Sequence, residues 1–142
     1  MKLNVLRMYD DVKMPVYATD GSGCFDIFGY DMVDAGEHTE TFSTGLKFEV
    51  PQGHVMLVFS RSGHGFKKDI RLANCVGVID SDYRGELLVK LRVDNEAMGY
   101  VDTRIHERIA QAMIVPIPKV EFVDVPELSS TERGENGFGS TN

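Results

Sequence analysis

Apolar and polar residues alternate with a period of two along much of this chain. From Thr44 to Val50, Leu46, Phe48 and Val50 fall on one side and Lys47 and Glu49 on the other; His54 to Phe59, Glu86 to Val93 and Lys119 to Val125 repeat the rhythm. Successive side chains of a strand point to opposite faces, so the alternation predicts half-buried strands. Ile109 to Pro118 is more continuously apolar and predicts a buried strand that stops at its prolines. Thr103 to Met113 has the best helical spacing, yet the overlapping strand pattern is stronger, and no long amphipathic helix is predicted. Turn signals separate these runs: Asp20-Gly21-Ser22-Gly23, Asp34-Ala35-Gly36, Pro51-Gln52-Gly53 and Asp94-Asn95-Glu96. Short strands divided in this way predict an all-β sandwich or barrel.

Length and composition narrow the picture. A chain of 142 residues is the size of one domain. It contains no apolar run of about 18 residues, and Met1 to Arg7 lacks the apolar stretch of a secretory signal. A soluble, cytoplasmic protein with no membrane partner is expected. Cys24 and Cys75 are expected to be reduced small hydrophobes. His38, His54, His64 and His106 lack paired ligand spacing, so they are expected at the surface or in loops and not on a metal. A net charge of −7 argues against a nucleic-acid partner. A polyanionic ligand would have to be small and locally clamped, and would arrive with a charge-offsetting divalent cation, Mg²⁺ suiting hard oxygen donors.

Four polar clusters and a tail then need an account. Gly77 to Glu86 packs two carboxylates, a tyrosine and a guanidinium between the apolar run Cys75 to Ile79 and the alternating run Glu86 to Val93. The pattern predicts a β-hairpin with a charged tip, which is either a solvated turn or a turn that does chemistry. Ser60-Arg61-Ser62-Gly63 follows a strand and is either a plain turn or a phosphate cradle. In Glu107-Arg108-Ile109-Ala110-Gln111, Arg108 reads as an ion-pair partner, while Gln111 enters an apolar strand and must find partners. Asp26 lies between Phe25 and Ile27 in Ser22 to Ile27, and a carboxylate there needs an arginine or a metal-bound water. From Ser129 to Asn142 the composition turns to Ser, Thr, Gly and charge around a lone Phe138. That predicts a flexible tail, either disordered or a lid. Stacking a base on Phe138 would contribute about 1–3 kcal/mol, with Arg133, Ser140 and Thr141 available to phosphate oxygens.

Taken in order, Ser22-Gly23-Cys24-Phe25-Asp26-Ile27, Arg61-Ser62-Gly63, Gly77-Val78-Ile79-Asp80-Ser81-Asp82-Tyr83-Arg84-Gly85, Glu107-Arg108-Ile109-Ala110-Gln111 and Arg133 to Ser140 resemble the five motifs of the trimeric deoxyuridine triphosphatases (dUTPases). The resemblance spans nearly the whole chain. It implies a jelly-roll-like, distorted β-barrel over residues 1–128, a C-terminal lid over 129–142, and a homotrimer with three active sites at subunit junctions. It also implies Mg²⁺ and hydrolysis of dUTP to dUMP and pyrophosphate, which limits uracil incorporation into DNA and supplies dUMP for dTMP synthesis.

By that resemblance Asp80 is the general base that activates water, and Tyr83 packs under the deoxyribose and excludes a 2′-hydroxyl. Asn74, Gly77, Val78, Ile79 and Leu88 line a uracil slot; Arg61, Ser62, Gly63 and Gln111 cradle phosphate. Asp26 reaches the metal region through water, or a neighbouring arginine. Phe138 stacks on uracil, and Arg133, Gly139, Ser140 and Thr141 meet the polyphosphate. His64, His106 and Asn142 depart from the family pattern. A deoxycytidine triphosphate deaminase shares the implied fold but lacks the Asp-Ser-Asp-Tyr-Arg turn, and a non-catalytic β trimer would have no use for Asp80, Arg61 and Gln111 together.

Overall fold

The computed structural model describes residues 1–95, 100, 101 and 103–137. Among the described residues, ten strands and one short helix follow one another: β1 Asn4–Arg7, β2 Val16–Tyr17, β3 Phe25–Phe28, β4 Asp31–Gly36, β5 Thr39–Glu49, β6 His54–Phe59, α1 Ser62–Lys68, β7 Ile70–Leu72, β8 Val76–Ile79, β9 Glu86–Val93 and β10 Arg108–Pro116. They form two antiparallel five-stranded sheets. In the first, β1 and β4 pair with β5, which continues through β9 to β7; the second runs β2-β3-β10-β6-β8. The all-β expectation stands.

Period two decides which residues these sheets bury. In β9, Leu87, Val89, Leu91 and Val93 are buried while Leu88, Lys90 and Arg92 are exposed. Phe42 and Leu46 of β5 and Leu91 of β9 join Ile27 of β3, Met56 of β6 and Ile109 of β10 in one core shared by both sheets. Each such side chain contributes about 1.5–3 kcal/mol by leaving water. One core for both sheets means that a loop passing between them is anchored at each end.

Five local expectations need correction, the first being Asp34-Ala35-Gly36, which is not a turn but the end of β4, paired to β5. The runs ending at Ile79 and beginning at Glu86 do not pair as a hairpin: β8 pairs with β6, and β9 with β5 and β7. Residues 80–85 therefore cross from one sheet to the other. Alternation fixes the face of a strand and not its neighbour. Lys119 to Val125 forms no strand, and Phe122 is 92% exposed; its alternation has no ladder to join among the described residues. Ser62 opens a helix rather than a turn. This helix ends at Asp69, whose left-handed backbone (φ 52) sends its N–H to the His64 carbonyl. His64 is the buried residue of that helix and not a surface residue. Both cysteines are free, Cys75 being exposed.

Candidate active site

One edge of β8 is paired to β6, with Met56 opposite Ile79 and Val58 opposite Gly77. No ladder forms on its other edge among the described residues. That edge faces β9 across a cavity of about 460 Å³, lined by Asn74, Gly77, Val78, Ile79 and Leu88. The chain can pass this close to β6 because residue 77 is glycine: a Cβ there would sit 3.1 Å from the Val58 Cβ. Leu88 is the apolar residue on the solvent phase of β9, 53% exposed.

A second cavity, about 240 Å³, shares Val78, Ile79 and Leu88 with the first and adds Asp80, Tyr83 and Glu86. The turn is closed on itself. The Tyr83 N–H donates to the Asp80 carbonyl at 3.2 Å, and the Tyr83 hydroxyl donates to the Glu86 carbonyl at 3.0 Å. Arg84 donates to the carbonyls of Ser81 (2.8 Å) and Tyr83 (3.0 Å) and lies 3.5 Å from the Glu49 carboxylate. Asp80 also borders a wider depression of about 800 Å³ together with Ser81, Asp82 and Arg84 of the turn.

The remaining motifs meet elsewhere, around a cavity of about 370 Å³ lined by Cys24, Asp26, Arg61, Ser62, Arg108 and Gln111. Asp26 is buried at 6% exposure. Its Oδ1 accepts from Arg61 Nε at 3.0 Å and its Oδ2 from an Arg108 guanidinium nitrogen at 3.2 Å. Of the two partners the sequence allowed for Asp26, an arginine or a metal-bound water, the structure supplies two arginines. Both guanidiniums face one carboxylate, so the pocket keeps a surplus of positive charge suited to an anion. Gln111 finds its partner in the Ser60 carbonyl at 2.9 Å. Burial, and then the neighbouring Asp26, push the Cys24 thiol above its ordinary value, which keeps it neutral.

The structure thus gathers Asn74, Gly77, Val78, Ile79, Asp80, Tyr83 and Leu88 at one place and Asp26, Arg61, Ser62 and Gln111 at another; the two cavities share no lining residue. Gly63 lies beside Ser62 in α1 with open space at its Cα. Arg133 is turned onto its own loop, donating to the Asn136 carbonyl at 2.8 Å. Phe138, Gly139, Ser140 and Thr141 lie outside the described residues. Two residues with a clear part in the site escaped the sequence as site residues. Arg108 was signalled by the need of a buried carboxylate for more than one donor, whereas Glu86 looked like an ordinary solvent-facing strand position.

Two antiparallel sheets, an acidic turn beside a cavity of about 460 Å³ and a pocket with two arginines define an all-β protein equipped to hold a small anionic ligand. A family model described as dUTPase matches residues 10–142. The chain is 41% identical over 143 residues to the deoxyuridine 5'-triphosphate nucleotidohydrolase of Nautilia profundicola, covering 99% of each. It is 42% identical over 143 residues to that of a Hydrogenobaculum species, covering 99% of this chain and 98% of the relative. A variant of the Staphylococcus bacteriophage 80alpha dUTPase with dUpNHpp has a TM-score of 0.86 at 29% identity, covering 98% of this chain and 97% of that one. This chain belongs to the dUTPase family.

Proposed function

We propose that the protein hydrolyses dUTP to dUMP and pyrophosphate, with Asp80 accepting a proton from the water that attacks the α-phosphorus. The observation that carries this reading is the free edge of β8 facing β9, with Asp80 and Tyr83 on the continuation of the same cavity. Unpaired N–H and C=O groups of a sheet edge are fixed hydrogen-bond partners for the edge of a planar base. Tyr83 beside them would leave no room for a 2′-hydroxyl, and the narrow slot by Leu88 none for a 5-methyl group, so UTP and dTTP are refused by exclusion.

Arg61, Ser62, Gly63 and Gln111 would take the outer phosphates. Arg61, Ser62 and Gln111 line a cavity apart from Asp80 within one chain, so the complete site needs a second copy, and a homotrimer with shared sites is part of this reading. The exposed run Ile117, Val120, Phe122, Val123 and Leu128 supplies apolar surface for such contacts. Residues 129–142 would close over a site as a lid, bringing Phe138 to the base and Arg133, Gly139, Ser140 and Thr141 to the phosphates. A cytoplasmic location goes with a nucleotide substrate; no helix among the described residues is long and apolar enough to cross a membrane.

Magnesium fits the residues present. An ion of this kind is taken mainly by phosphate oxygens and water. Asp26, with lone pairs beyond those its arginines use, would accept from a metal-bound water. Neutralising phosphate charge is the chemistry the ion supplies when bound. The protein's own share is positioning, general-base help of about 10²–10⁴-fold, and exclusion of water.

Incubation with dUTP, dCTP or dTTP plus Mg²⁺, with products identified, tests the reading. Pyrophosphate and dUMP from dUTP alone are expected. Ammonia from dCTP would mark a deaminase, and no turnover of any of the three would leave a binding module.

A further inference from the structure

The β5–β9 ladder changes register between Ser43 and Lys47. Inside that bulge the Thr44 hydroxyl donates to the Leu87 carbonyl at 2.7 Å, and the Gly45 N–H donates to Glu86 Oε1, also at 2.7 Å. Residue 45 has to be glycine: its φ is +66, and a Cβ would overlap the Val12 side chain. Glu86 is thus tied to β5 by its carboxylate while its carbonyl accepts the Tyr83 hydroxyl at 3.0 Å. Between the two stands Gly85, where a Cβ would overlap the Tyr83 hydroxyl and ring. The ring lies folded over residue 85 and is tethered at residue 86.

We infer that Glu86, pinned to the β5 bulge at Gly45, is a positioning residue that fixes Tyr83 and so sets how strictly this site refuses a ribose. The inference rests on Tyr83 acting as the sugar gate. A phenol free to swing would open space for a 2′-hydroxyl, and exclusion of one small group depends on a wall that does not yield.

The test is kcat/KM for dUTP and UTP, with Mg²⁺, in the full chain and four variants. Glu86→Leu removes the acceptor for Gly45, and the dUTP-over-UTP preference should fall about tenfold or more. Glu86→Gln keeps an oxygen in place and should retain the preference within about twofold. Gly85→Ala displaces the ring without touching Glu86 and should lower the preference too, which shows that ring placement matters; Glu86→Ala takes the place of Glu86→Leu if the latter does not fold. A merely structural Glu86 would lower melting temperature and yield with the preference intact, and that result in folded Glu86→Leu overturns the inference. Tyr83→Ala separates the two levels. If it too leaves the preference unchanged, the sugar-gate reading itself has failed; if it alone lowers the preference, only the positioning role has.

Discussion

The region proposed to take the nucleoside and the region proposed to take the phosphates are built on different principles. At the first, residues 74 to 88 shape a slot from the free edge of β8, a glycine that lets the chain approach β6, and a turn whose side chains bond its own carbonyls. Its proposed selectivity is one of shape. At the second, three segments remote in sequence meet around a buried carboxylate, and a pair of guanidiniums is held open to the solvent side. Its attraction is one of charge, moderated by Asp26. A shape-based end depends on rigidity that local hydrogen bonds supply, whereas a charge-based end needs only that its cations be aimed. The two should therefore fail differently when altered.

The largest effect is expected at the turn. Asp80→Asn should lower kcat about 10²–10⁴-fold while dUTP binding, read by calorimetry, stays near wild type; a variant retaining a tenth of the wild-type rate would show that Asp80 is not the base. Removal of residues 129–142 comes next, at about 100-fold in kcat/KM, since stacking and phosphate contacts are lost together. The described part of that tail bonds mainly within itself, as in Asn136 N–H to the Arg133 carbonyl at 3.2 Å, so the melting temperature should not move. Full activity in the truncated protein would defeat the lid. Arg61→Ala should weaken dUTP about 10- to 100-fold through loss of charge-assisted bonds and leave deoxyuridine binding unchanged. Equal weakening of both ligands would mean that the two ends are not separate.

The same contrast explains what could be read from the sequence. The nucleoside end is contiguous, so the turn from Gly77 to Glu86 announced itself, and the faces of β6 and β9 followed from alternation. Pairing did not: nothing in Val76 to Ile79 says that its ladder lies with β6 rather than with β9, because both neighbours present apolar faces. At the phosphate end, Arg61 and Arg108 reach Asp26 across 35 and 82 residues, so only the residue types were legible. Helix α1 was hidden by Gly63 and Gly65, which disfavour a helix, and is stopped by the left-handed Asp69. The alternation of Lys119 to Val125 was real but has no ladder among the described residues of this chain, and a period-two pattern cannot say which molecule will provide one.

One residue touches both ends, and it should give the smallest functional effect. Ser60 accepts the Leu72 N–H on its hydroxyl at 2.9 Å and the Gln111 side chain on its carbonyl at 2.9 Å. Leu72 lines the nucleoside cavity and Gln111 the phosphate pocket. Ser60→Ala deletes only the first bond and strands a buried N–H, at a cost of about 1–3 kcal/mol, or roughly 3–10 °C in melting temperature for a domain of this size. The carbonyl bond to Gln111 survives, so the phosphate end keeps its geometry. If the ends are mechanically independent, KM for dUTP and the preference over UTP should each change less than about threefold despite the lost stability. A large change in either would mean that Ser60 transmits strain between the two pockets of one chain, and the shape-built and charge-built regions, which the homotrimer reading assigns to different sites, would then be coupled through β6.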